Sequence, residues 1–150
     1  MNKYVPPPSQ PSPSARAFPI EADHDGASHG GWLRELGIIY QNAGTTLVAE
    51  GLFAQAHEKY QAGLHIFERL AAKHPQEPNW QIDLANCYAL IGDMNLAQGR
   101  PQNALPPYRS SHVIWQRLAH RDPGNPAWQA QLLRSRARLA SVNCERPDGN

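Results

Sequence analysis

Cysteine is nearly missing from this sequence: Cys87 and Cys144 are the two present. A pair so far apart makes neither a disulfide framework nor a CxxC metal or redox motif. No apolar run approaches the roughly 18–20 residues of a membrane span, and the mean hydropathy is −0.59. Residues 1–13 hold no apolar stretch of the kind a secretory leader carries. These absences lead us to expect a cytoplasmic protein with no membrane partner. Charge is scarce too, with 18% of residues charged and a net of +1. The balance is uneven, because residues 109–150 carry seven Arg against Asp122, Glu145 and Asp148. A basic C-terminal third points to an acidic partner, yet it falls short of the basic stripe of a nucleic-acid binder.

What is present is proline, then periodicity. Six of the fourteen prolines fall in the first nineteen residues, interleaved with serine. With Gly26, Ser28, Gly30 and Gly31 behind them, residues 1–28 read as a disordered Pro/Ser/Gly-rich arm. Such an arm could act on its own as an accessory docking segment.

From Trp32 onward the chain repeats with a period of 48: Trp32, Trp80 and Trp128 fall on it, as do Leu36, Leu84 and Leu132. Tyr40 and Tyr88, Gly44 and Gly92, Tyr60 and Tyr108, and Pro75 and Pro123 keep the same register. Apolar residues within each unit step by three and four, the spacing of one helical face. Gly51 and Gly99 break each unit in two, and prolines 75 and 123 close it. The signals predict helices over 32–50, 53–73, 78–98, 102–121 and 126–142, with Pro78 and Pro126 in first turns. The repeat domain then spans 29–143 (units 32–75 and 80–123, final helix 126–142), with 144–150 as a disordered tail.

These motifs resemble the tetratricopeptide repeat (TPR), whose pattern includes L-G-x2-Y in one helix and A-x3-[FY] in the next. Leu36-Gly37-x2-Tyr40 and Leu84-Ala85-x2-Tyr88 fit the first, and Ala56-x3-Tyr60 and Ala104-x3-Tyr108 the second. The unit is longer than the usual ~34 residues, and the excess falls as two insertions of about two helical turns each. With its Arg-Leu-Ala…Pro…Pro…Trp-Gln junction, the chain resembles the long-helix variant of bacterial proteins. The resemblance implies an all-α solenoid of two long hairpins plus a capping helix.

It also implies a protein- or peptide-binding scaffold without catalysis or cofactor. The family's ligand positions carry over to Arg34, Ile38, Gln41 and Asn42 in the first unit. They carry over to Ile82, Asn86 and Leu90 in the second, and to Arg134 and Arg138 in the final helix. Asn86 matches an asparagine of peptide-clamping members, and Arg134 with Arg138 would hold a carboxylate. Ile38 stands where a clamp would place another asparagine.

Other chemistries lack their constellations. The seven histidines show no H-x3-H or HExxH spacing, so no metal site is expected. No glycine loop leads into Lys-Ser/Thr, and no serine stands on a nucleophile elbow. The aromatics recur at repeat positions, as core residues do, rather than as base-stacking platforms.

Three finer expectations follow. Pro106-Pro107 replaces Glu58-Lys59 of the first unit, which predicts a bend or a late helix start near 104–108. Gly44 and Gly92 should mark close helix approach, as should Gly37 and Ala85, set against Ala56 and Ala104. Finally, helix 126–142 should cap the array, with Arg136 in water. Leu133, Ala137 and Ala140 would then form an association patch, and a homodimer through that face is the alternative functional reading.

Overall fold

The computed structural model describes the backbone of residues 26–144 and the side chains of 29–144. Five helices follow one another: α1 (Gly26–Ala49), α2 (Phe53–Lys73), α3 (Pro78–Ala97), α4 (Pro101–Arg121) and α5 (Pro126–Cys144). The fold is all-α, with no strand among the described residues. Hairpins α1–α2 and α3–α4 stack through α2 on α3, and α5 packs on α4.

Each hairpin turns on a glycine that the sequence placed correctly. Gly51 and Gly99 adopt φ of 76° and 73°, a left-handed conformation that only glycine takes without strain. Leu52 N–H reaches back to the Leu47 carbonyl and Gly51 N–H to that of Val48, at 2.8 and 3.0 Å. Arg100 and Gly99 repeat the pattern on Asn95 and Leu96, so both helices end in the same double cap. Between units, Pro78 and Pro126 open α3 and α5, and Asn125 Oδ1 caps the Trp128 amide at 3.1 Å. The Trp-Gln junction has a matching purpose. Gln81 donates to the Ala71 carbonyl and Gln129 to that of Ala119, so each glutamine satisfies the end of the preceding helix.

The main core gathers Ala56, Tyr60, Leu64, Phe67, Leu84, Ala85, Cys87, Ile91, Ile114 and Trp115 from α2, α3 and α4. A second cluster of Ala104, Leu105, Tyr108 and Val142 joins α4 to α5. Gly44 and Gly92 are packing glycines as expected: a Cβ on Gly44 would stand 2.6 Å from the Tyr60 ring, and one on Gly92 would overlap Tyr108.

Four expectations need correction. First, α1 begins at Gly26 rather than Trp32, so residues 26–28 of the expected arm are helical. Gly30 is buried there, its Cα face covered by Trp80 of the next unit, and that contact offsets the poor helix propensity of Gly30-Gly31. The remainder of the arm (1–25) lies outside the described residues, as does 145–150 of the expected tail; Cys144 itself ends α5. Second, α4 starts at Pro101, not late, and is helical through Pro106 and Pro107. Ala104, Leu105 and Tyr108 bury this turn against α3 and α5, and the packing outweighs the lost hydrogen bonds. Third, Gly37 lies beneath Phe67, at 2.6 Å for a Cβ, and not against Ala56. An antiparallel hairpin that pairs Gly44 with Tyr60 brings Gly37 to Phe67 and leaves Ala56 at the turn end. Fourth, α5 runs two residues past 142, to Cys144.

Candidate peptide-binding surfaces

Helices α1, α3 and α5 are the first helices of successive units, and the expected ligand positions lie along them. The structure divides these residues into three groups. Arg34 and Arg138 are engaged by carboxylates of the chain itself, in partly exposed pairs. Arg34 Nε and Nη2 donate to Asp83 Oδ2 and Oδ1 at 2.5 and 3.1 Å. Arg138 Nε and Nη2 donate to Asp93 Oδ1 and Oδ2 at 3.2 and 3.1 Å. Each is a two-pronged ion pair that ties one first helix to the next. The hydrogen bond to Asp83 raises the Arg34 pKa further. Arg138 therefore does not join Arg134 in a free carboxylate site; its charge is already matched.

Ile38, Ile82 and Leu90 are half-buried and pack on the main core. Gln41 is also half-buried, its Nε2 enclosed without a hydrogen-bond partner. Asn42, Asn86 and Arg134 are exposed and stand on three different helices. On α5, Leu133, Ala137 and Ala140 are exposed, as is Arg136.

A different surface offers concavity. Two adjoining clefts of about 390 and 400 Å³ lie along α3 and share Tyr88 and Ser110, the first walled by α2 and α4 and the second by α4 alone. Leu64, Ile91, Pro106 and Pro107 give the first an apolar lining, with Gln61, Asn95 and Asn103 supplying carboxamides. Arg109 and Arg117 line the second, with Leu84, Val113 and Ile114. Tyr88 stands at the junction and donates to Glu68 Oε1 at 2.9 Å. Burial, then this bond to Glu68, push its phenol up to about 12, so it stays a neutral donor. Both clefts are shallow and open to solvent, with an apolar lining and a few polar groups.

Sequence reasoning passed over these residues. One signal for them was available: Pro106-Pro107 departs from the repeat, and this proline-bearing turn of α4 forms a cleft wall. Asp83 and Asp93 were also missed. Their signal was an acid on one first helix with an arginine roughly one repeat away, which is the offset of Arg34 from Asp83 and of Asp93 from Arg138.

The remaining polar side chains serve the framework. Tyr108 donates to Asp93 Oδ1 at 2.6 Å, which places the phenol within the Asp93–Arg138 pair. Burial and then the Asp93 bond raise its pKa, while Arg138 opposes them. Tyr60 meets Thr45 at the equivalent place in the first unit, at 3.1 Å. Cys87 is fully buried against the Tyr60 carbonyl, and burial pushes its thiol up to about 11, with Gln41 pulling the other way. Ser135 gives its proton to the Leu132 carbonyl at 2.7 Å, so the 2.8 Å contact with His112 has Nδ1–H as donor. Burial and then Arg136 lower the His112 pKa.

Compared with protein-family models, curated proteins and solved structures, the chain matches none. Among the described residues no group of three or more His, Cys, Asp or Glu could hold a metal ion. No described helix is long and apolar enough to cross a membrane.

Proposed function

We propose that this chain is a non-catalytic, TPR-like scaffold that binds a protein partner through an extended peptide. The observation that supports this reading is the pair of adjoining clefts along α3, one bounded by α2 and α4 and the other by α4. Their apolar floor would take side chains of a bound strand, and Gln61, Asn95 and Asn103 would pair with its backbone. Carboxamides suit that task because each both donates and accepts. Arg109 and Arg117 at the far end favour a carboxylate in the ligand, in keeping with the basic C-terminal third. The binding polarity is then apolar residues near the prolines and an acidic residue near the arginines. The exposed face of α1, α3 and α5, with Asn42, Asn86 and Arg134, is the competing location that the family resemblance suggests.

Selection from a displayed peptide library, followed by backbone-amide shift mapping with a selected peptide, tests the proposal. The expected shifts surround Tyr88, Asn95, Ser110 and Val113, and Arg117→Glu should weaken acidic peptides most. Shifts centred on Asn42, Asn86 and Arg134 would move the site to the other face. No selected peptide at all would remove the scaffold reading.

A further inference from the structure

Among the described residues the two ends of the array are uncovered in complementary ways. Ile39, Cys87 and Ser135 occupy one repeat position, yet Ile39 is 62% exposed, Cys87 0% and Ser135 2%. The reason is the preceding helix: Cys87 contacts α2 through the Tyr60 carbonyl, and Ser135 contacts α4 through His112. Among the described residues no helix precedes α1, so its outer stripe of Trp32, Glu35 and Ile39 is open, with Trp32 58% exposed. Among the described residues helix α5 lacks the opposite neighbour. Gly37 and Gly44 lie under rings of α2, and Gly92 under Tyr108 of α4. Their counterparts on α5 are Leu133 and Ala140, both exposed, Leu133 by 63%.

We propose that these two faces bind each other between copies, with the α1 end of one chain packing on the α5 end of the next. Three features choose this occupant. The stripes complement each other in size: Trp32 and Ile39 project, whereas Ala137 and Ala140 leave room for close approach. They complement each other in charge as well. Glu35 lies between Trp32 and Ile39 on one stripe, and Arg136 lies at the same spacing between Leu133 and Ala140 on the other. Helix α5 has no acidic residue, and exposed Arg134 flanks the patch. A two-fold pairing of α5 with itself would instead set Arg134 and Arg136 against their own copies, and α1 with itself would oppose Glu35 to Glu35. The favoured contact joins unlike faces, so it propagates into a ring or an open fibre rather than stopping at a dimer.

Sedimentation and light scattering of the full chain, from low micromolar to millimolar concentration, test this inference without reference to the peptide cleft. The expected average mass climbs past that of a dimer. Ile39→Glu and Leu133→Glu each disable one end, so each alone should remain monomeric with unchanged helical circular dichroism. Mixed in equal amounts they should give a one-to-one dimer, because each supplies the end that the other lacks. A wild-type chain that stays monomeric would overturn the inference, whether the open faces are bare or covered by its own arm. So would a dimer that survives Ile39→Glu and vanishes in Leu133→Glu, which identifies two-fold α5 pairing. A mixture that remains monomeric overturns it too.

Discussion

The ring of Tyr108 rests on Gly92 so closely that a single methyl group there would overlap it. Tyr108 is 1% exposed, and its hydroxyl is anchored on Asp93, so the ring has nowhere to go. Gly92→Ala gains about 0.5–1 kcal/mol in helix propensity. Overpacking costs about 1–3 kcal/mol and should win. Thermal unfolding should shift down by roughly 3–6 °C, with Gly44→Ala behaving alike against Tyr60. A rise in melting temperature would show that the hairpin relaxes freely.

The Arg34–Asp83 pair is asymmetric: Asp83 is buried and the Arg34 side chain is 42% exposed. Arg34→Met strands the carboxylate and should cost about 2 kcal/mol, less than a fully enclosed pair because water reaches the arginine side. Replacing both residues, Arg34→Met with Asp83→Leu, should recover most of that loss. Urea unfolding of the two single variants and the double one gives the coupling, expected at about 1–2 kcal/mol. Strictly additive effects would mean that the pair contributes nothing specific.

The buried thiol predicts a defined alkaline behaviour. Folding raises the Cys87 pKa from 9.0 to about 11, so the folded chain holds a proton that the unfolded chain releases. Stability from this group is complete below pH 9 and falls as pH rises towards 11. The slope is at most about 1.4 kcal/mol per pH unit. Tyr60, Tyr88 and Tyr108 are raised as well and act in the same direction at higher pH. Urea midpoints of Cys87→Ala should therefore start lower but decline less steeply across this window. Parallel slopes for the two proteins would refute the assignment.

The proline pair gives a gain rather than a loss. Pro106 and Pro107 stand beyond the first turn of α4, where their missing amides leave the Gln102 and Asn103 carbonyls without helical donors. Restoring the first unit's residues, Pro106→Glu with Pro107→Lys, should raise stability by about 2 kcal/mol or more. The cleft wall would be lost with the prolines, so peptide binding should weaken as the urea midpoint rises. An unchanged midpoint would mean that the turn has already adapted to its missing bonds.

The five helices were legible because their signals are local or repeated. Glycines 51 and 99 and the first-turn prolines mark ends through the backbone itself, and α2 spans the expected 53–73. The start of α1 was not legible. It depends on Trp80, fifty residues further on, covering Gly30, whereas local propensity favours a loop. The same division runs through the candidate sites. Exposure of Leu133 could be read from repeat logic, since its equivalents require a following helix. The pairing of Arg34 with Asp83 and of Arg138 with Asp93 depends on how first helices slide past one another, which the period alone does not set. Arginines that look available on a helical wheel are therefore committed across the interface.

The two thiols differ in a way that supplies a tool. Cys87 is buried and holds its proton, so it resists alkylation while the chain is folded. Cys144 is exposed at the last turn of α5, two helical turns beyond Ala137 on the same side of the helix. A maleimide dye would thus mark each native chain once, without mutagenesis. Its emission would report directly on whatever covers the open end of the array.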